Sequence, residues 1–145
     1  GVFKAEIRTF QMSLYFLDSN IIMYTLGGPH TLKTPCVRIL EKIHSARMQV
    51  CTNTEIFQEI LYRYYSLDKK VLAHQACDIL KDIVNPIFPI THEDIEKAMS
   101  LLKQYTIPVR DAVHAATMLN HNIHHILTTD VHFDKIHEIT RIHPG

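Results

Sequence analysis

The chain contains the stretch Leu14-Tyr15-Phe16-Leu17-Asp18-Ser19-Asn20-Ile21-Ile22, in which four apolar or aromatic residues precede an acid. A run of this kind is typical of a short strand buried on both faces, as in a parallel sheet covered by helices. Ligands of open α/β sheets bind beyond the carboxyl ends of the strands, which makes Asp18 a candidate site residue. Asp is also favoured at helix N-caps, so a purely structural role at the start of the next helix stays open.

Length and composition indicate one soluble globular domain. The chain has 145 residues, enough for a hydrophobic core but too few for a second domain. Apolar residues make up 46% and charged residues 21%, close to the average for globular proteins. The sequence shows neither an apolar run near the roughly 20 residues of a membrane-spanning helix nor an N-terminal secretory signal. We therefore expect a cytoplasmic protein without a membrane span.

The expected domain covers residues 14–145, preceded by an N-terminal extension over residues 1–13. Met12 fits a natural start of the protein, and part of residues 1–11 would then have been added for expression. The three cysteines, Cys36, Cys51 and Cys77, are widely spaced, which argues against a disulfide framework and a zinc knuckle. Basic and acidic residues number 15 each, so any surface that binds nucleic acid must be a local one.

Short apolar runs alternate with longer amphipathic segments along the whole chain. The expected strands cover residues 14–17, 48–51, 87–90, 123–128 and 138–142. Pro89 places the third of these at an edge of the sheet, because proline cannot donate to a central ladder. Strands that alternate with helices of about ten or more residues are typical of parallel βαβ units. The pattern predicts a three-layer α/β/α sandwich.

Helix starts carry recognisable signals. Thr34-Pro35 predicts a helix with proline at its first position. The pattern Thr52-x-x-Glu55 matches a capping box for the helix that carries Glu59. A further helix is expected over residues 66–83, and Thr91 caps the next one. The second of these signals places Glu59 on a helix.

Four acids are expected to converge at one edge of the sheet. Asp18 and Asp130 each follow a strand, whereas Glu59 and Asp111 lie on helices packed against the same sheet. Two carboxylates about 4 Å apart repel by roughly 4 kcal/mol at an effective dielectric constant of about 20. Such a cluster therefore requires either protonated carboxyls or a divalent cation. Oxygen ligands without cysteine favour Mg²⁺ or Mn²⁺ over Zn²⁺.

Structural roles remain open for two of these acids. Glu59 could form a surface pair with Arg63 one turn later, an arrangement worth a few tenths of a kcal/mol. Asp111 lies in the first turn of its helix, where the helix dipole favours an acid. The chemistry that needs such a cluster is phosphodiester hydrolysis, in which bound metal activates water and stabilises the leaving oxygen.

The same residues carry a family resemblance. The relevant segments are Leu17-Asp18-Ser19-Asn20, Gln58-Glu59-Ile60-Leu61, Arg110-Asp111-Ala112-Val113-His114-Ala115-Ala116 and Leu127-Thr128-Thr129-Asp130-Val131-His132-Phe133. In this order they resemble the PIN domain, and in particular the VapC-like ribonuclease toxins of type II toxin–antitoxin systems. The similarity covers roughly residues 14–142. It implies a mainly parallel five-stranded sheet, a homodimer, an RNA substrate and a cognate antitoxin partner.

The resemblance also assigns roles to individual residues. It implies that the catalytic, metal-binding acids, for Mg²⁺ or Mn²⁺, are Asp18, Glu59, Asp111 and Asp130. It implies supporting roles for Asn20 and Thr128, and for Asp134 either a supporting role or the cap of a turn. Arg63 and Arg110 are candidates for contacts with RNA phosphates. The protein is then a metal-dependent endoribonuclease.

Several alternatives are open from the sequence. A catalytically silent PIN-like scaffold that binds RNA or protein is the main one, although the presence of all four acids disfavours it. An aspartyl phosphatase usually needs a second acid two residues after the first, where this chain has Asn20. The motif His121-x-x-His124-His125 suggests a metal site only if its side chains converge. His114 is interpreted as a buried, hydrogen-bonded histidine rather than as a residue that lines the cleft. Tyr62, Tyr64 and Tyr65 are interpreted as core and dimer-packing residues rather than as base-stacking groups.

Overall fold

The computed structural model describes residues 13–145 of the protein. The N-terminal extension expected over residues 1–13 therefore lies, except for Ser13, outside the described residues. The strands are β1 (Leu14–Leu17), β2 (Gln49–Asn53), β3 (Ile87–Phe88), β4 (His125–Leu127) and β5 (Thr140–Ile142). The helices are α1 (Ser19–Leu26), α2 (Lys33–His44), α3 (Thr54–Ser66), α4 (Lys70–Ile83), α5 (His92–Gln104) and α6 (Val109–Asn120), with a 3₁₀ helix at Val131–Lys135.

The sheet has five strands in the order β3-β2-β1-β4-β5, and all four pairings are parallel. From β1 the chain moves outward to β2 and β3, and it then returns across the sheet to β4. Right-handed crossovers therefore place α1 to α4 on one face of the sheet and α5 and α6 on the other. The predicted three-layer α/β/α architecture with a mainly parallel five-stranded sheet is confirmed.

The first strand is the centre of the fold, as its apolar sequence predicts. Phe16 pairs with Cys51 of β2 and with Ile126 of β4, and all three side chains are fully buried. Burial on both faces is the environment that a continuous apolar run favours. The carboxyl end of this strand brings Asp18 to the middle of the sheet edge.

Some element boundaries differ from the sequence expectation. Helix α2 begins at Lys33 with Leu32 as its N-cap, so Pro35 is the third rather than the first helical residue. This position still lies in the first turn, where backbone N–H groups have no acceptor within the helix. Proline, which lacks an N–H, therefore costs no helical hydrogen bond there. Helix α3 continues to Ser66 and α4 begins only at Lys70, so the helix expected over residues 66–83 starts four residues later.

The capping box predicted at Thr52 is wrong. Asn53 caps α3 instead, since its side chain accepts a hydrogen bond from the backbone N–H of Ile56. Thr52 still belongs to β2, and its hydroxyl donates to the backbone oxygen of Leu17 at 3.1 Å. Backbone pairing of Thr52 with Ile87 of β3, together with this side-chain bond to β1, thus keeps Thr52 in the sheet, and the helix starts one residue later.

The third strand lies at the sheet edge, as Pro89 predicted, but it is shorter than expected. It covers only Ile87–Phe88 and pairs with the end of β2. Within residues 13–145, no helix combines the length and the apolar character needed to cross a membrane.

Candidate active site

Asp18 is held at the end of the central strand by hydrogen bonds from three residues. Its carboxylate accepts hydrogen bonds from the Ser19 backbone N–H at 2.7 Å, the Thr128 hydroxyl at 2.7 Å and the Asn20 amide at 3.3 Å. The residue is only 5% exposed. Burial raises the pKa of Asp18 above its usual value, against the opposing effect of the Thr128 hydrogen bond. The N-cap role expected from the sequence is present, and it coexists with this buried polar environment.

Asn20 and Thr128 connect the loops that follow β1 and β4. The Asn20 amide donates to the Thr128 hydroxyl at 3.0 Å, and its carbonyl accepts from the Thr129 backbone N–H at 3.2 Å. The Thr128 oxygen also accepts from the Asp130 backbone N–H at 3.0 Å. These bonds fix Asp130 relative to Asp18, although the two acids are far apart in sequence.

Glu59 is buried rather than paired with Arg63 on the surface. It is 6% exposed, and one carboxylate oxygen accepts from the Ser19 hydroxyl at 2.9 Å. The other oxygen lies 2.5 Å from Nε2 of His114 and 3.5 Å from Nε of Arg110. The surface alternative for Glu59 is therefore wrong, and its carboxylate instead joins the polar cluster beside Asp18.

His114 is oriented by Asn53, a residue that the sequence analysis did not single out. The Asn53 carbonyl caps α3, so its amide nitrogen faces Nδ1 of His114 at 3.1 Å and the Thr117 hydroxyl at 3.0 Å. Because the amide donates, Nδ1 is an acceptor, and the proton on Nε2 points at Glu59. Both ring nitrogens are thus engaged, which agrees with the interpretation of His114 as a buried, hydrogen-bonded residue. An Asn followed by Thr-Glu-Ile at a helix start was the available sequence signal.

Asp111 lies in the first turn of α6, as predicted, and it faces Asp130. It is 7% exposed, and its Oδ2 is buried without a hydrogen-bond partner. Burial raises the pKa of Asp111 to about 7, and the hydrogen bond and negative charge of Asp130, together with the charge of Asp18, act in the same direction. The structure thus places three of the predicted acids within electrostatic reach of one another.

The Asp111 pKa leads to a testable prediction about stability. Below about pH 4, Asp111 is protonated in the folded and the unfolded protein, so its contribution to stability is fully present. As the pH rises towards about 7, the unfolded chain releases this proton while the folded protein retains it. The free energy of unfolding, measured by urea titration in EDTA, is therefore expected to fall across this range.

An Asp111→Asn variant is the reference for this measurement, because the other titrating groups are common to both proteins. As the pH rises from about 4 to about 7, the free energy of unfolding of the wild type should decrease relative to that of the variant. A difference that is constant with pH, or that moves in favour of the wild type, would contradict the raised pKa.

His132 completes a second cluster, and the sequence analysis missed it. Its Nδ1 lies 2.7 Å from Oδ1 of Asp130 and 3.5 Å from Oδ2 of Asp111. One ligand atom from each of these three residues lies within 4.8 Å of the others, and the same holds for Asp18, Glu59 and His114. The Asp130-x-His132 spacing directly after a strand was the signal that could have identified this histidine.

A cleft of about 660 Å³ opens onto the second cluster. Asp111, Asp130 and His132 line it, and Arg110 lies at its side with a half-exposed guanidinium. This size falls within the usual range of ligand sites. The cleft offers acids for a cation and a cationic group for an anionic substrate.

Among the predicted residues, Asp111, Asp130 and Arg110 line this cleft, whereas Asp134 and Arg63 have surroundings apart from both acid clusters. The Asp134 carboxylate forms two hydrogen bonds with the Arg141 guanidinium, at 2.9 and 3.0 Å, and is thereby held away from the acid cluster. Arg63 lines a separate cleft of about 340 Å³, together with Asn20 and Lys69. The structure therefore brings together the four predicted acids, Asn20, Thr128 and Arg110, but neither Asp134 nor Arg63.

The histidine motif near the end of α6 does not converge. The ring of His121 stacks on Phe88 with centroids 3.7 Å apart, whereas His125 contacts Tyr15 edge-on at 5.6 Å. The ring nitrogens of His124 face oxygen atoms instead, the Glu138 backbone oxygen at 3.2 Å and Oδ1 of Asn122 at 3.1 Å. The three histidines of this motif thus have separate structural contacts. Of the nearby tyrosines, Tyr64 is buried as expected for a packing residue.

The cluster of acids at the carboxyl edge of a five-stranded parallel sheet can be compared with known families. The family model of the PIN domain matches residues 15–139. The chain belongs to the PIN domain family. Ribonuclease VapC13 of Mycobacterium tuberculosis is 34% identical to this PIN domain over 130 residues, which cover 89% of the chain and 99% of that protein.

Solved structures share the fold of this PIN domain. VapBC2 from Rickettsia felis, bound to a DNA fragment from its promoter, superposes with a TM-score of 0.70 at 17% identity, covering 90% of this chain and 98% of that one. VapC20 of M. tuberculosis, a toxin that cleaves the Sarcin-Ricin loop, gives a TM-score of 0.70 at 17% identity, covering 88% and 97%. At this identity the likeness establishes the architecture.

Proposed function

We propose that this PIN domain is a metal-dependent endoribonuclease that hydrolyses RNA phosphodiester bonds and acts as the toxin of a toxin–antitoxin pair. The observation that carries the proposal is the gathering of Asp18, Asp111 and Asp130 beside an open cleft, with Oδ2 of Asp111 lacking a hydrogen-bond partner. The 34% identity to a named VapC ribonuclease over nearly its whole length supports the same conclusion.

The donor set fits a hard divalent cation. Burial, and after it the neighbouring carboxylates, raise the pKa of Asp111, and a nearby positive charge stabilises such ionised carboxylates. Carboxylate oxygens without thiolates favour Mg²⁺ or Mn²⁺. We assign the metal-binding and catalytic roles to the four acids, Asp18, Glu59, Asp111 and Asp130. When bound, such a cation lowers the pKa of water and neutralises charge on phosphate oxygens.

Other side chains orient these acids and bind the substrate. Asn20 and Thr128 keep Asp18 and Asp130 in place through the hydrogen bonds described above. Arg110 is half exposed beside the cleft and is positioned to bind an RNA phosphate near Glu59.

Arg63 and Asp134 have more distant roles in this proposal. Arg63 and Lys69 line the same cleft next to Asn20. Their two positively charged side chains are able to bind phosphates farther along the RNA. Asp134 acts indirectly, because its pair with Arg141 ties the 3₁₀ helix that follows Asp130 to β5.

The partners follow from the same relatives. Solved neighbours of this fold include VapBC complexes, and we propose a small antitoxin as the neutralising partner, in the cytoplasm. Exposed apolar side chains on α3, on α4 and in the turn between them suit a homodimer contact, because large exposed apolar residues mark interaction surfaces. They are Tyr62, Tyr65, Leu67 and Val71. Light scattering of the purified chain gives the mass that tests the dimer.

The direct test is an RNA cleavage assay with the purified protein. We expect endonucleolytic fragments from single-stranded or structured RNA in the presence of Mg²⁺ or Mn²⁺. RNA binding without any cleavage, under conditions where the protein is folded and metal is present, would contradict the proposal and favour the silent scaffold.

A further inference from the structure

The contacts of His132 are not those of an ordinary ion pair. Its Nδ1 is buried and lies 2.7 Å from Oδ1 of Asp130, yet neither this contact nor the 3.5 Å contact with Asp111 has hydrogen-bond geometry. Oδ2 of Asp111 also lacks a hydrogen-bond partner, and the Asp111 side chain is nine-tenths buried. Two buried polar atoms thus face each other without bonding, a costly arrangement unless a further group binds both.

The position of the ring is fixed by the backbone. The His132 N–H donates to Oδ1 of Asp130 at 2.9 Å, and Asp130 is in turn the N-cap of the 3₁₀ helix. The imidazole is therefore held next to the Asp130 carboxylate independently of any bond made by its side chain. All three residues also line the 660 Å³ cleft, so a cation can reach them from solvent.

His114 provides an internal comparison. It also lies among acids, but its Nδ1 accepts from the Asn53 amide and its Nε2 contacts Glu59 at 2.5 Å. Neither nitrogen of His114 is free to bind a cation. Within the described part of the chain, His132 is thus the histidine of the two clusters that has an available nitrogen.

We propose that His132 is a nitrogen ligand of the divalent cation held by Asp111 and Asp130, and that it makes this site prefer Mn²⁺ over Mg²⁺. Mg²⁺ binds oxygen ligands almost exclusively, whereas imidazole nitrogen is a good ligand for first-row transition metals. A site with two carboxylates and one imidazole should therefore discriminate between the two ions more strongly than carboxylates alone. This inference rests on the proposed function for the presence of the cation, but not on RNA cleavage itself.

The test measures metal binding rather than activity. Mn²⁺ is titrated into metal-free full-length protein, and free Mn²⁺ is followed by electron paramagnetic resonance. Pulsed measurements on the bound ion report nitrogen coupling, and ¹⁵N-labelled histidine identifies imidazole as its source. Mg²⁺ affinity is obtained by competition with Mn²⁺.

We expect imidazole coupling in the wild type and its loss in His132→Ala. The Mn²⁺ affinity of this variant should fall about tenfold or more, while its Mg²⁺ affinity changes about twofold or less, since only the nitrogen ligand is removed. His44→Ala, which removes an exposed histidine at the end of α2, should leave both affinities and the coupling unchanged.

A second variant keeps the test decisive if His132→Ala does not fold. His132→Gln retains a polar side chain that can offer oxygen, so Mg²⁺ binding should persist while the imidazole coupling disappears. Imidazole coupling that survives in a folded His132 variant, or equal losses of Mn²⁺ and Mg²⁺ affinity, would overturn the inference. Metal-dependent RNA cleavage combined with either result would leave the proposed function intact and reject only the role of His132.

Discussion

Replacing Asp18 with Asn is expected to lower the rate of RNA cleavage by about 100- to 1,000-fold while the protein stays folded. A positively charged centre that stabilises the transferring phosphate contributes several kcal/mol, and each 1.36 kcal/mol corresponds to a tenfold change in rate. The folded state should tolerate the change because burial already disfavours the ionised form of Asp18. Asn also keeps the size of the side chain between Ser19 and Thr128.

The matched control for this variant is Asp78→Asn. Asp78 is an exposed acid on α4 that pairs with Lys81 at 3.3 Å and belongs to neither acid cluster, so its replacement removes the same charge outside the site. Initial rates on one RNA substrate, with circular dichroism of each protein, give the comparison. Equal rates for Asp18→Asn and wild type would reject the assigned role of Asp18.

Chelation of divalent cations is expected to abolish cleavage. The proposal depends on a cation among Asp18, Asp111 and Asp130, since otherwise the raised pKa of Asp111, about 7, leaves part of the cluster protonated near neutral pH. Excess EDTA should reduce the rate to background, and an excess of Mg²⁺ or Mn²⁺ over EDTA should restore it.

The same assay detects a contaminating nuclease. Asp18→Asn protein purified in parallel carries the same contaminants, so cleavage that persists in EDTA in both preparations comes from them or from a mechanism without metal. Cleavage that persists in EDTA only in the wild type would contradict the metal-dependent proposal, because it would then arise from this site without a cation.

The sheet and the placement of its acids were accessible from the sequence because they depend on local patterns. The apolar run before Asp18 and the strand before Asp130 both end at the sheet edge, as parallel pairing requires. The small residues that follow Asp111 allow α6 to pack closely, and Ala112 and Ala115 are fully buried. In each case the sequence pattern that places the acid lies within a few residues of it.

The details that were missed depend on contacts between distant segments. Thr52 and Asn53 are both good caps, and contacts of Thr52 with Leu17 and Ile87, far away in the sequence, keep Thr52 in the sheet and leave Asn53 to start α3. A surface pair of Glu59 with Arg63, one turn away, was left open by the sequence, but the partner of Glu59 is His114, 55 residues later. Such choices between chemically similar partners are made by tertiary packing, which a local pattern does not contain.

Anomalous diffraction from crystals soaked in Mn²⁺ tests the central claim most directly. The account predicts a Mn²⁺ peak bound by the carboxylates of Asp111 and Asp130, close to Asp18 at the carboxyl edge of the sheet. It also predicts that this peak is lost in Asp111→Asn crystals soaked in the same way. Well-ordered crystals at saturating Mn²⁺ with no peak at this cluster, from protein that still cleaves RNA, would contradict it.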